Sequence, residues 1–95
     1  MADVRKYDTA AMRNASDDID SKAKTFRSSA EAVDNIVTTF QNWEDEVNKS
    51  YVARYKSELK PCLEEVRKLM ESYAKYLEGA AEAIEEFVKK NANSL

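Results

Sequence analysis

Turn-making residues are nearly absent from this chain: its 95 residues include one glycine, Gly79, and one proline, Pro61. A strand-built domain of this length needs a turn about every 8–12 residues, and Gly and Pro supply the backbone angles that most such turns require. Sheet architectures are therefore excluded, and the chain reads as long helices in a single all-α domain. The supply of apolar residues, 43% of the chain, is enough for a core. A mean hydropathy of -0.69 and 35% charged residues leave no segment apolar enough to span a bilayer, so stable membrane insertion is not expected.

The apolar residues carry helical spacing. Met12, Ala15, Ile19, Ala23, Phe26, Ala30, Val33, Val37 and Phe40 follow one another in steps of three or four, which is one stripe of a helix. Asp8 or Thr9 can cap its start with a side-chain oxygen, so helix one is expected over about 8–41. A second stripe reads Val52, Tyr55, Leu59, Leu63, Val66, Met70, Tyr73, Leu77, Ala80, Ile84 and Phe87, and helix two is expected over about 47–90. Cys62, Leu69, Tyr76 and Val88 widen this stripe beyond what one neighbouring helix needs. Glu64 with Lys68, Glu71 with Lys75, Glu85 with Lys89 and Glu86 with Lys90 are spaced for ion pairs along a solvated face.

Three local features modify that pattern. Pro61 removes a helix hydrogen bond and crowds the preceding turn, which predicts a kink or a helix restarted there. Gly79, beside Ala80, Ala81 and Ala83, suits a close helix approach. Asn91, after Lys89 and Lys90, can end the helix in a left-handed conformation and leave 91–95 as a frayed tail.

The turn falls at about 42–46. No glycine marks it, so Asn42 is the strongest signal, either ending helix one or capping helix two, with Glu44, Asp45 and Glu46 where a helix start favours negative charge. The result is an antiparallel two-helix hairpin. The faces it leaves apolar are wide enough to dimerise into a four-helix bundle, through Ile19, Phe26, Val33, Val37, Phe40, Leu59, Leu63, Val66, Met70, Tyr73 and Leu77. One continuous helix, about 120 Å long and paired as a coiled coil, is the competing arrangement.

Composition also narrows function. A formal charge of -3, with basic residues interleaved among acids, offers no positive stripe for nucleic acid. The lack of histidine removes His-based acid–base chemistry and His-containing metal sites. Adjacent pairs such as Glu64–Glu65 and Glu85–Glu86 point about 100° apart on a helix and form no carboxylate pair. The expectation is a chain that is not an enzyme, needs no cofactor and binds no metal. Cys62 sits at an apolar helical position, which suits a buried thiol. The charges among the first thirty residues leave no apolar core of a Sec-type signal peptide.

The middle of the chain, Trp43-Glu44-Asp45-Glu46-Val47-Asn48-Lys49-Ser50-Tyr51, sits between two amphipathic helical segments in a chain of about one hundred residues. It resembles the WXG (Trp-x-Gly) family of small helical-hairpin proteins secreted by type VII (ESX-like) systems. Trp43, Val47 and Tyr51 match the family's Trp, aliphatic and aromatic positions, and Asp45 stands where the family has glycine. The family's tail signal places an acid four residues after an aromatic. Here Phe87 is followed at that spacing by Asn91.

The resemblance implies a protein that acts by helix pairing and is either exported by type VII machinery or serves as an adapter for export through it. Its partners would be itself or a related WXG-like subunit, with the secretion ATPase or a larger effector beyond. Secretion would need no signal peptide and would draw on a cytoplasmic pool. A cytosolic coiled-coil scaffold or assembly factor is the alternative. Trp43 is expected to close the end of the bundle as a buried clamp.

Overall fold

The computed structural model describes residues 8–94, with side chains through Asn91, and among them the regular structure is all helical. The fold is an all-α helical hairpin. Helix α1 spans Thr9–Phe40, and a short connection leads to α2, Glu46–Arg54. A π-helical turn, Tyr55–Leu59, joins α2 directly to α3, Lys60–Ser94. Residues 41–45 connect the first two helices. The expected tail does not fray: α3 continues through Ser94, and Asn91 is helical, its Nδ2 donating to the Phe87 carbonyl at 2.8 Å. Leu95 lies outside the described residues.

The connection is stabilised by side chains instead of by left-handed backbone. No described residue has positive φ, so Asn42 does not close α1 in the way the sequence suggests. Asp45 is the N-cap of α2. Its extended backbone (φ -67°, ψ 122°) lets the carboxylate accept the amides of Val47 and Asn48 at 2.8 and 3.4 Å. Asn48 reaches back to the Phe40 carbonyl at 2.8 Å and satisfies one of the acceptors a helix end leaves open. At the other end of α1, Asp8 accepts the Ala11 amide at 2.9 Å.

The chain divides into two compact units. The first joins α1 up to Lys22 with α3 from Met70. Its interior is made of small side chains: Ala81 is 0% exposed, and Ala74 and Ser16 are buried with it. Ser16 Oγ donates to the Ala74 carbonyl at 2.7 Å, a bond possible only where two helix backbones come close. Ile19, Met70 and Leu77 flank that seam half-buried. Arg13 grips Glu85 with two nitrogens, at 2.6 and 3.2 Å, so Glu85 pairs across to α1 and not along α3 as its spacing from Lys89 suggests. Ala81 makes the close approach, not Gly79: a methyl added at Gly79 would meet nothing within 4 Å.

The second unit spans Ala23–Leu69 and contains the connection and the π-turn. Ala23 and Tyr55 are its buried apolar residues, and Phe26, Val37, Val52 and Leu63 are half-buried around them. The π-turn is how the chain accommodates Pro61, without the break the sequence leaves open. The Lys60 amide donates to the carbonyl of Tyr55, five residues back, and this wider turn makes room where the proline ring would otherwise clash.

The extra residue also resets the helix face. Among the covered positions on α3, which also take in 71 and 80, one row runs 84, 81, 77, 74, 70, 67 and 63 in alternating steps of three and four. Continued backward, the alternation would turn Lys60, Lys56, Ala53 and Lys49 inward. The π-turn shifts the phase by one residue, so Tyr55, Val52 and Asn48 are covered instead. Leu59, expected in the core stripe, is swung out to 46% exposure, and Cys62, expected buried, is exposed.

Candidate functional site

The largest concavity among those described lies in the second unit, beside the connection. It is an open groove of about 660 Å³. Val33, Ile36, Val37 and Phe40 of α1 form one wall, and Tyr51, Val52 and Tyr55 with Leu59 and Cys62 form the other. Asn48, Arg54 and Glu58 are the polar groups at its rim. Arg54 Nε donates to Glu58 at 2.9 Å, so this rim charge is internally balanced. The lining is mostly aliphatic and aromatic, which suits an apolar partner surface better than a small polar substrate.

Of the motif residues, Asp45 is the cap described above, and the other three are on the surface. Trp43 is 57% exposed, Val47 65% and Tyr51 69%. Within the single chain Trp43 is not a buried clamp. Its ring stands edge-on to Phe40, centroids 4.7 Å apart at 84°, in the connection that leaves α1 after Phe40. Val47 and Tyr51, four residues apart on α2, share a face.

The expected packing residues separate into two groups. Ile19, Phe26, Val37, Leu63, Met70 and Leu77 are half-buried between the helices. Val33, Phe40, Leu59, Val66 and Tyr73 remain exposed. Tyr73 stacks on Tyr76, also exposed, at 6.0 Å and 15°. Phe87 is exposed as well, and Asn91 is occupied by a carbonyl of its own helix.

On the other side of Tyr55 lies a smaller, charge-lined cavity of about 270 Å³, floored by Phe26, Ala30 and Leu63. Asp34 is its focus. Tyr55 Oη donates to Asp34 Oδ1 at 2.9 Å, and Lys60 Nζ approaches the same oxygen at 3.2 Å. The tyrosine hydrogen bond first, and then the lysine, holds the Asp34 carboxyl below its usual range. Burial pushes the Tyr55 phenol up, and the facing carboxylate adds to that. Lys56, turned outward by the π-turn, bonds Gln41 at 3.1 Å.

Sequence reasoning missed Asp34, Ser16 and Asn48. Each is a polar residue whose partner lies on a different helix, and spacing along one helix carries no record of that partner. Among the described residues no three His, Cys, Asp or Glu side chains converge as a metal site, and no helix is long and apolar enough to cross a membrane. Comparison of the chain with protein-family models, curated proteins and solved structures finds no match.

Proposed function

We propose that this chain works by helix pairing, not by catalysis: the hairpin docks on a second hairpin, its own copy or a related WXG-like subunit, and passes with it through a type VII secretion apparatus. The observation that carries the reading is the open groove between α1 and α2, with Val33, Ile36, Phe40 and Tyr51 exposed along it. Contiguous apolar surface of this kind marks an interaction site, and a four-helix bundle is the usual way such faces are covered.

The WXG resemblance supplies the export half of the proposal. Trp43 in the connection and Val47 and Tyr51 on α2 are each exposed, which suits contact with a partner. The missing glycine does not weaken the turn. Position 45 is a helix N-cap, where Gly and Asp are both favoured residues, and Asp adds the side-chain bonds that glycine lacks.

Export is tested by blotting culture supernatant and cell lysate from strains with and without the secretion ATPase. Supernatant signal that depends on the ATPase is expected, and retention in both lysates overturns the proposal. Pairing is tested by light scattering, where a folded monomer at micromolar concentration counts against it. A cytosolic helical scaffold is the second reading. It is favoured by Asn91, which stands uncharged where the family's tail carries an acid and is already bonded to its own helix.

A further inference from the structure

We infer that Asp34 is a clamp that selects the π-turn over a plain helical turn, and so decides which face of α2 lines the groove. Tyr55 opens the turn and Lys60 follows its last residue, and one carboxylate oxygen of α1 holds both side chains, at 2.9 and 3.2 Å. The Lys60 amide closes the same span onto the Tyr55 carbonyl.

Helix geometry makes this arrangement selective. Residues five apart on an α-helix lie about 140° from each other around the axis, too far to meet at one oxygen. In a π-turn the same two residues are hydrogen-bonded neighbours, stacked one above the other. Asp34 therefore binds the π form and has no comparable pair of contacts to make with the α form. Pro61 alone does not select it, since a proline is equally accommodated by a kink or by a new helix start.

The consequence falls on the groove. Tyr55 is the wall between the groove and the charged cavity, and at 7% exposure it is the one large side chain buried among the described residues. Reversion of the turn to α-helical bonding would move α2 by one residue. Lys49, Ala53 and Lys56 would then face α1, and the groove would lose Val52 and Tyr55 from its lining.

The test is amide hydrogen exchange and NMR on the full chain. The Tyr55-to-Lys60 contact reports the π-turn, and protection of residues 46–54 reports α2. Asp34→Ala is expected to abolish the contact and speed exchange in α2 at least tenfold, while the helical signal of α1 and α3 persists. Asp34→Glu is expected to restore part of the protection, and Pro61→Ala to keep the π-turn. Should Asp34→Ala not fold, Tyr55→Phe and Lys60→Met each remove one arm and are expected to accelerate exchange in α2 separately. A turn unchanged in Asp34→Ala, or unchanged in both single-arm variants, overturns the inference, as does a turn lost in Pro61→Ala with Asp34 intact. Pairing and export are read by separate assays, so either proposal can fail alone.

Discussion

Trp43→Ala measures how much of the connection is held by its own chain and how much awaits a partner. A fully buried tryptophan removes about 250 Å² from water. With 57% exposed, Trp43 covers a little under half of that, about 100 Å². At about 25 cal/mol per Å² this is about 2.5 kcal/mol, and a compact denatured chain lowers it by 10–40%. The edge-on contact with Phe40 returns about 0.5 kcal/mol, and the alanine methyl keeps a part of the burial. The expected loss is about 2 kcal/mol, against 3–5 kcal/mol for a buried ring.

Urea unfolding followed by helical circular dichroism, at low and high protein concentration, gives the number. Trp43 is the chain's single tryptophan, so its fluorescence reports its own surroundings in the same samples. A loss of about 4 kcal/mol or more in dilute protein, with blue-shifted emission, would refute the surface placement. The same large loss appearing only at high concentration would place the ring in an intermolecular interface.

Further outcomes follow from particular contacts. Gly79→Ala should stabilise the chain by about 1 kcal/mol in thermal or urea unfolding, because the site is helical and the added methyl meets nothing. Ser16→Ala should cost about 1 kcal/mol, the net worth of one buried hydrogen bond, since the Ala74 carbonyl keeps its place in the α3 ladder. Ala81→Leu should cost more than Ser16→Ala, as the larger side chain has no room at a fully covered position. Acid should loosen the hairpin. Asp34 is held low by Tyr55 and Lys60, and Glu85 by Arg13 and Thr9. A carboxyl with a lowered folded value contributes above its unfolded value, about 4, and loses that contribution as pH falls through the folded one. Stability should therefore hold from pH 7 to about 5 and fall below it, less steeply in Asp34→Ala and Glu85→Ala variants. A main transition above about pH 6 would contradict this assignment.

Much of the hairpin was legible without coordinates. Scarcity of glycine and proline together with three-and-four spacing is a local property, and local hydrogen bonding is all that α-helix formation requires, so the all-α class could be read from it. Asp8 and Asp45 act at helix starts for the same local reason. Which stripe becomes core was not legible. The periodic pattern favours large residues, yet Ser16, Ala74 and Ala81 occupy the tightest contact, because closely approaching backbones exclude large side chains.

Trp43 and Cys62 show the same limit. Their hydrophobic character predicts burial, but burial needs a covering element, and among the described residues Trp43 and Cys62 are both left exposed. Pro61 marks the division most clearly. By itself the amino-acid sequence determined that helix two could not pass residue 61 unchanged, since a ring without an N–H cannot join the ladder. That the disturbance became a π-turn, with Tyr55 inward and Leu59 outward, was decided only in the tertiary structure, where Asp34 of another helix meets the two residues that bracket the turn.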